Sequence, residues 1–193
     1  MSKKFKIGID YGGTKIEGIL LDQNGKQLER KRYSYDKNYL SGIETVKKLV
    51  EEFDKISEES CTVGVGIPGF SSKETGIITN ANSIWLNEKP FKKDLELALN
   101  RKVRLMNDAN CFTLSESVDG AGKDFKSIFG IIIGTGFGGG LSYNKSIIEG
   151  SNQIAGDWGH QPLPYPTKEE QETKISCPSS NCGRPLCAEQ FMS

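Results

Sequence analysis

The sequence lacks any imbalance of charge, because 25 Lys and Arg residues face 25 Asp and Glu residues in a chain of 193. A chain with zero net charge has no general attraction for nucleic acids or anionic membranes, so neither is a predicted partner. Long apolar runs are also missing, and the longest, 128–133, is far too short to cross a bilayer. The N-terminal segment has no long apolar core of a secretion signal, which predicts a cytoplasmic protein.

Histidine and cysteine are scarce, with one His and five Cys. Cytoplasmic cysteines stay reduced, so burial or metal binding is predicted rather than disulfides. The single histidine, His160, is followed by three cysteines, and one neutral imidazole with three thiolates completes a tetrahedral Zn²⁺ site. One interpretation is therefore a structural Zn²⁺ held by His160, Cys177, Cys182 and Cys187, and the other is three reduced cysteines without metal.

Glycine, in contrast, is abundant, and its 22 residues cluster at turns between apolar runs. The segment 5–35 reads as three strands, joined first by Tyr11-Gly-Gly-Thr14 and then by Asn24-Gly25. The segment 127–149 repeats this layout, with a turn predicted at 134–140 and strands at 127–133, 141–143 and 146–149. The repetition predicts an internal duplication, with one domain at 1–119 and a second at 120–193.

The two glycine-rich turns are candidate phosphate sites. A glycine turn at the end of a buried strand exposes consecutive N–H groups, and such nests bind anions. Two turns on duplicated hairpins can hold one triphosphate between them, which points to ATP. Asp10 precedes the first turn and has the position for a Mg²⁺ role, and the less favoured alternative is an Asp that only shapes the turn. The predicted phosphate-binding residues are Gly12, Gly13, Thr14, Lys15, Gly134, Thr135 and Gly136, of which Lys15 supplies charge or lies in solvent.

Between the hairpins lie two helical patterns and two buried strands. The spacing of apolar residues predicts helices over 42–56 and 91–100, and strands over 61–67 and 103–106. The loop 75–85 is rich in asparagine and ends in Trp85, and amides beside an aromatic ring suit the hydroxyls and the apolar face of a sugar. Asparagines in turns with one core tryptophan would give the same pattern.

Asp108 lies where the strand 103–106 passes into a predicted helix that runs to Ser117. Its carboxylate is either a cap for the first free N–H groups of that helix or a catalytic group at the carboxyl end of a strand. The phosphate turns on both sides favour the catalytic interpretation.

Taken together, these motifs resemble the repressor, open-reading-frame and kinase (ROK) family of sugar kinases, in the actin-like ATPase superfamily. The resemblance is carried in family order along nearly the whole chain by Asp10-Tyr-Gly-Gly-Thr-Lys15, Gly66-Ile-Pro-Gly69, Asn80-Ala-Asn-Ser-Ile-Trp-Leu-Asn87, Asn107-Asp-Ala-Asn110, Gly134-Thr-Gly-Phe-Gly-Gly-Gly140, Gly156-Asp-Trp-Gly-His160 and Cys182-Gly-Arg-Pro-Leu-Cys-Ala-Glu189. The asparagine-tryptophan segment is most similar to those of bacterial fructokinases and mannokinases.

The resemblance implies an α/β fold of the duplicated, ribonuclease H-like type, a cytoplasmic homodimer, and ATP-dependent phosphorylation of a hexose, with fructose or mannose favoured. It implies that Asp108 is the general base and that ATP, Mg²⁺ and a structural Zn²⁺ are bound. The residues implied to contact the sugar are Gly69, Asn80, Asn82, Asn107, Asp108, Asp157, His160 and Glu189.

Two positions depart from the family pattern. The family has Glu where this chain has Asp157, and the side chain, one methylene shorter, loosens the expected sugar contact. The first two family cysteines are separated by one residue, but Ser180 stands in the first of these places here. The loop Pro178-Ser-Ser-Asn181 is expected to bring Cys177 to the metal instead.

Family members continue beyond the position of Ser193 with the rest of the second domain and its adenosine-binding loop. The resemblance therefore implies a complete first domain and a truncated second one, with weak ATP binding and self-association of residues 1–193 alone. Two alternatives remain, a non-catalytic sugar-binding remnant and a sugar-responsive transcription regulator of the same family. The regulator is disfavoured because the phosphate strand begins directly after Met1, where a helix-turn-helix would need room.

Overall fold

The computed structural model describes residues 4–134, 136–172 and 186–192. The chain divides into two compact units, Met1–Asp108 and Ala109–Ser193. No helix in the described part of the chain is long and apolar enough to cross a membrane.

The first unit is built on a mixed, five-stranded sheet with helices. In chain order its elements are β1 (Lys6–Tyr11), β2 (Lys15–Leu21), β3 (Gln27–Ser34), α1 (Tyr39–Ser57), β4 (Thr62–Ile67), β5 (Phe70–Ser71), β6 (Ile78–Thr79), a 3₁₀ turn (Ile84–Leu86), α2 (Phe91–Leu99) and β7 (Val103–Asn107). The strand order is β3-β2-β1-β4-β7, in which β1, β4 and β7 run parallel. Strands β1, β2 and β3 form the predicted antiparallel meander.

Helix α1 packs its apolar face into the core of this unit. Asn38 caps its first turn, because the side chain accepts a hydrogen bond from the amide of Ser41 at 2.9 Å. Helix α1 also joins α2 through Tyr39, whose hydroxyl donates to Asp94 Oδ2 at 2.6 Å. The predicted helical face is confirmed, since its apolar positions are fully buried at Val46, Leu49, Val50 and Phe53.

Tyr11, the last residue of β1, is fully buried against α1. Its hydroxyl lies where the side chain of Gly42 would begin, since a Cβ at Gly42 would be 1.9 Å from the oxygen. The helix can therefore approach the strand this closely only because residue 42 carries no side chain.

The outer strand β3 is strongly charged. Arg30 and Arg32 both form ion pairs with Glu17 on β2, and Lys31 pairs with Glu52 on α1 at 2.7 Å. These pairs bind β3 to its neighbours along a strand that buries few apolar side chains.

The second unit begins with a helix and continues with a second meander. Its described elements are α3 (Asp108–Val118, whose first residue closes the first unit), β8 (Ser127–Ile133), β9 (Phe137–Tyr143), β10 (Ser146–Ile147), α4 (Lys168–Glu172) and α5 (Ala188–Met192). The order β10-β9-β8 repeats the order β3-β2-β1, so the predicted duplication of the meander is confirmed.

The second glycine turn is shorter than the sequence predicts. Strand β9 starts at Phe137, and Gly138, Gly139 and Gly140 pair with β8 instead of forming part of the turn. Glycines were expected to mark a turn, but here they extend a strand because the opposite strand supplies the hydrogen bonds.

The units divide between Asp108 and Ala109, at the start of α3, whereas the sequence predicts a domain boundary near residue 119. Thr113 of α3 lies against Gly130, where a Cβ would be 2.1 Å from the hydroxyl oxygen of Thr113. A Cβ at Gly140 would lie 3.1 Å from the backbone carbonyl oxygen of Ala109. Helix α3 therefore packs on β8 and β9 at positions without side chains, and this packing places it in the second unit.

We expect Gly42→Ala to destabilise the protein, although alanine is the better helix former by ~1 kcal/mol. The added methyl group collides with the Tyr11 hydroxyl, and overpacking of this kind costs about 1–3 kcal/mol. Urea denaturation would measure the change in the free energy of unfolding. Gly64→Ala is the matched control, since no atom lies within 4 Å of its added Cβ. Equal or greater stability of Gly42→Ala than of the parent would contradict this packing.

Candidate active site

Asn107 connects three parts of the first unit. It is the last residue of β7, and its side-chain amide donates to the carbonyl oxygen of Gly69 and to Oδ1 of Asp108, each at 3.1 Å. Asp108 is exposed and is the first residue of α3, so its carboxylate lies in the first helical turn rather than ahead of it. The strand end thus presents an aspartate whose carboxylate is oriented by its neighbour.

Gly69 brings the asparagine loop to the same place. Its φ is +79°, which glycine adopts freely, and a Cβ there would lie 2.5 Å from the carbonyl oxygen of Thr79 and 2.7 Å from the amide of Ala81. The backbone on both sides of Asn80 therefore rests on Gly69. The structure brings together Gly69, Asn80, Asn107 and Asp108, four residues predicted to act on one substrate.

The loop that carries Asn80 is closed by Asn87. The Asn87 side chain accepts from the amide of Ala81 at 2.9 Å and donates to its carbonyl at 3.0 Å. Asn80 and Asn82 are exposed on the loop that this pair of bonds holds. Asn87 thus has a structural role, as the turn interpretation of these asparagines predicts.

Trp85 packs within the protein. Its indole N–H donates to the Tyr11 hydroxyl at 3.3 Å, and its ring lies edge-on to that of Tyr35 with centroids 6.1 Å apart. The indole is half-buried in an aromatic cluster with these tyrosines, so the structure favours the core interpretation of Trp85 over an aromatic wall for the sugar.

The first glycine turn lies beside this loop. The Gly12 amide donates to the Lys15 carbonyl at 3.1 Å, while Gly13, Thr14 and Lys15 are exposed. A Cβ at Gly13 would be 3.6 Å from the hydroxyl oxygen of Ser83, which belongs to the asparagine loop. The predicted phosphate residues and the predicted sugar residues of this unit are therefore neighbours.

Asp10 faces another carboxylate at the end of β1. It stands directly opposite Glu17 in the pairing of β1 with β2. Loss of solvation raises the pKa of Asp10 above its ordinary value, Glu17 adds to the rise, and Arg32 opposes it. A cation bound at Asp10 would offset this repulsion, which fits the predicted Mg²⁺ role.

The second glycine turn is tight. The Gly134 amide donates to the Gly136 carbonyl at 2.9 Å, and no atom lies within 4 Å of a Cβ built on Gly134. Thr135, between them, lies outside the described residues. The turn therefore leaves open space at Gly134.

Two glycines fix the loop 156–160 against β9. A Cβ at Gly159 would be 1.7 Å from the Phe137 carbonyl oxygen, and one at Gly156 would be 2.7 Å from the Cα of Gly140. The loop also contacts the first turn of α5, because the Glu189 amide donates to the Gly159 carbonyl at 2.8 Å. Backbone contacts thus determine where the side chains of this loop lie.

These contacts bring the predicted residues Asp157, His160 and Glu189 into one electrostatic group. Burial raises the pKa of Asp157 above its ordinary value, the His160 imidazole opposes the rise, and Glu189 adds to it. Glu189 is buried and accepts a hydrogen bond from the Phe137 amide at 2.9 Å, directly after the second glycine turn. Glu189 therefore connects Asp157 and His160 with β9, the strand that follows the second glycine turn.

The zinc prediction falls largely outside the described residues, since Cys177 and Cys182 belong to the part that is not described. Within the described ranges, no three His, Cys, Asp or Glu side chains form a metal-binding group. Nδ1 of His160 is buried and has no hydrogen-bond partner among the described residues. Cys187, two residues before Glu189, is fully buried. A ring nitrogen left unpaired and a buried thiol fit a Zn²⁺ ligand set.

Tyr35 and Tyr11 contribute to the first glycine turn, although the sequence did not predict it. The Tyr35 hydroxyl donates to the Gly12 carbonyl at 2.9 Å, and the Tyr11 ring lies 5.5 Å from the Tyr35 ring. Tyr11 stands in the first glycine motif but was not predicted to have a role of its own, and Tyr35 belongs to no motif.

The mixed sheet and the two meanders define an α/β protein with an actin-like fold. A sequence profile of the ROK family matches residues 6–193, and the chain belongs to the ROK family.

A curated N-acetyl-D-glucosamine kinase of Pasteurella multocida (strain Pm70) is 37% identical over 193 residues, which cover 97% of this chain and 62% of the relative. One from Vibrio cholerae (serotype O1, El Tor Inaba N16961) is 37% identical, with 96% and 62% covered. The chain thus spans less than two thirds of the length of these relatives. Neither relative is a fructokinase or mannokinase, so the finer resemblance inferred from the asparagine-tryptophan segment lacks their support.

A solved ROK hexokinase from Thermus thermophilus matches with a TM-score of 0.72 at 28% identity, covering 82% of this chain and 53% of that one. A ROK family glucokinase from Streptomyces griseus, solved with glucose and AMPPNP, matches with a TM-score of 0.80 at 24% identity, covering 97% and 56%. The fold is therefore shared over nearly the whole chain.

Asp10→Asn is expected to stabilise the protein at neutral pH by a few tenths of a kcal/mol, because it removes one of two facing carboxylates. Folding raises the pKa of Asp10, so the folded state disfavours the ionised form. The gain should be present above the folded pKa and disappear as the pH falls below ~3.9, where Asp10 is protonated in both states. Denaturation at pH 7 and pH 3.5 would measure it.

Asp36→Asn provides the control, because Asp36 is exposed outside the strands. A lower stability of Asp10→Asn than of the parent at pH 7 would show that the carboxylates of Asp10 and Glu17 do not destabilise the folded state by repulsion.

Proposed function

We propose that this protein is part or all of an ATP-dependent sugar kinase, which transfers the γ-phosphate of ATP to a hydroxyl group of a hexose. The observation that carries the proposal is the set of contacts around Gly69, which joins the asparagine loop, Asn107 and Asp108 in one unit. Membership of the ROK family and the kinase names of the curated relatives support it.

Asp108 is the proposed general base. Its carboxylate is exposed at the end of a parallel strand, the edge at which open α/β sheets bind ligands. The Asn107 amide holds one carboxylate oxygen, so the group keeps a defined orientation while it accepts a proton from the sugar hydroxyl. Phosphoryl transfer depends mainly on such positioning, since its transition state is loose.

In the first unit, the proposed contacts to the sugar hydroxyl groups are Gly69, Asn80, Asn82 and Asn107. Asp157, His160 and Glu189 of the second unit are also proposed sugar contacts, on the resemblance to the family. The side chain of Asp157 is one methylene shorter than the glutamate of the family pattern, so its proposed contact with the sugar is looser.

The proposed phosphate contacts are the two glycine turns. Gly12, Gly13, Thr14 and Lys15 act from the first hairpin, and Gly134, Thr135 and Gly136 act from the second. When bound, Mg²⁺ would neutralise charge that develops on the phosphates. Asp10 would hold that ion, directly or through water.

N-acetyl-D-glucosamine is the proposed first choice among hexoses, because the curated relatives compared above are kinases named for that sugar. Fructose and mannose, favoured by the asparagine-tryptophan resemblance, are the competing substrates. Calorimetric titration of the purified protein with each sugar, followed by ATP-dependent phosphorylation assays, would rank the three.

We predict that Asp108→Asn lowers turnover about 10²- to 10⁴-fold and leaves the Kd for sugar within a few-fold. The amide retains the size of the carboxylate but is no base. Coupled measurement of ADP release and sugar titration would separate the two effects. Asp119→Asn, just beyond the other end of α3, is the matched control and should behave like the parent. Retained turnover in Asp108→Asn would rule out Asp108 as the base.

We also propose a structural Zn²⁺ bound by His160, Cys177, Cys182 and Cys187. Support comes from Nδ1 of His160, which has no hydrogen-bond partner among the described residues, and from the buried Cys187. Elemental analysis of dialysed protein should give close to one zinc ion per chain. Cys187→Ser and Cys182→Ser should each lose zinc, whereas Cys111→Ser on α3 should retain it. Folded protein without zinc would refute the site.

A further inference from the structure

The peptide bond between Gly12 and Gly13 begins the first glycine turn, and both polar groups of Gly12 are already bound. The Gly12 amide donates to the Lys15 carbonyl at 3.1 Å, which closes the turn. The Gly12 carbonyl accepts from the Tyr35 hydroxyl at 2.9 Å, although the two residues are 23 positions apart. Hydrogen bonds therefore hold the peptide groups on both sides of Gly12 in a fixed orientation.

The bond to Tyr35 determines the direction of the next amide. The peptide unit is planar and trans, so the carbonyl of Gly12 and the N–H of Gly13 point in opposite directions. Because the Tyr35 hydroxyl holds the carbonyl, the N–H of Gly13 points away from Tyr35. Gly13 and Thr14 are exposed, so this amide belongs to a part of the turn that solvent reaches.

A peptide between two glycines needs such a restraint. Without side chains, both residues reach φ and ψ values that would let the peptide plane rotate at low cost. The rotated form would present a carbonyl oxygen where an anion needs an N–H donor, and it would repel a phosphate group.

Tyr35 can act as this restraint because its own ring is held. It lies edge-on to Tyr11, with centroids 5.5 Å apart, and to Trp85 at 6.1 Å. The indole of Trp85 in turn donates to the Tyr11 hydroxyl. The hydroxyl of Tyr35 therefore reaches Gly12 from a ring that its neighbours hold in place.

We infer that Tyr35 is a positioning residue for phosphate binding, which holds the Gly12–Gly13 peptide with its N–H directed toward a triphosphate. The inference rests on the proposed function of the first turn as a phosphate site. Tyr35 itself need not touch the ligand.

Tyr35→Phe is the direct test, since it removes the hydroxyl and keeps the ring. We expect the Kd for tripolyphosphate, measured with Mg²⁺ by calorimetry, to rise about 3- to 10-fold, the effect of one hydrogen bond. The Kd for sugar and the melting temperature should stay near those of the parent. In ¹⁵N-labelled protein, tripolyphosphate should shift the Gly13 amide resonance of the parent strongly and that of Tyr35→Phe weakly.

Tyr33→Phe is the matched control. It makes the same substitution two residues earlier, on β3, and its hydroxyl bonds Glu52 of α1 rather than the glycine turn. Tripolyphosphate binding by Tyr33→Phe should equal that of the parent.

The outcomes separate the inference from the proposed function. If tripolyphosphate does not shift the Gly13 amide resonance of the parent protein, the proposed phosphate site is wrong. The proposed role of Tyr35 is then wrong as well. If the parent and Tyr35→Phe bind tripolyphosphate with equal affinity, only the proposed role of Tyr35 is overturned. A parallel loss of sugar affinity, tripolyphosphate affinity and melting temperature in Tyr35→Phe would show general structural support, and would also overturn it.

Discussion

Close contact between backbone and backbone is the constraint on which both halves of this structure depend. At Gly69 and at Gly159, a single methyl group would collide with a carbonyl oxygen of another segment. Such collisions cannot be relieved by a change of rotamer, because the obstructing atom belongs to the main chain. The loops with the candidate binding residues therefore owe their positions to the absence of side chains, and the polar groups they carry are placed by main-chain packing.

Side-chain donors then hold the carbonyl groups of these loops. Asn107 binds the carbonyl of Gly69, and Tyr35 binds that of Gly12. Asn107 is the last residue of β7 and Tyr35 directly follows β3, so both donors are attached to the sheet. A site arranged in this way is preorganised, so less conformational entropy is lost when a ligand binds.

Much of the fold follows from local sequence signals. Alternation and turn residues predict the first meander, and helical spacing predicts α1 with its buried face. The start of β9 could not be predicted in this way, because Gly138 to Gly140 carry no side chains that could alternate. Their strand conformation depends on pairing with β8, which is a tertiary contact.

The candidate site was predictable in part for the same reason. Sequence motifs predicted Gly69, Asn80, Asn107 and Asp108 as site residues, and the structure places them together in the first unit. The contact of Tyr35 with Gly12 leaves no local trace, since it spans 23 residues and involves a tyrosine in no motif. The division at the start of α3 could not be predicted locally either, because it depends on contacts of Thr113 rather than on a loop.

The charged strand β3 also affects how the protein behaves in a crowded solution. It lies at the edge of its sheet, where unpaired main-chain groups could recruit a strand from another molecule. Four consecutive charged residues, 29–32, occupy the middle of that edge, and Arg30 and Arg32 stay solvent-exposed while they bind Glu17. A foreign strand would have to bring its own backbone against this row and desolvate it. The ion pairs that join β3 to β2 therefore also protect this edge against aggregation.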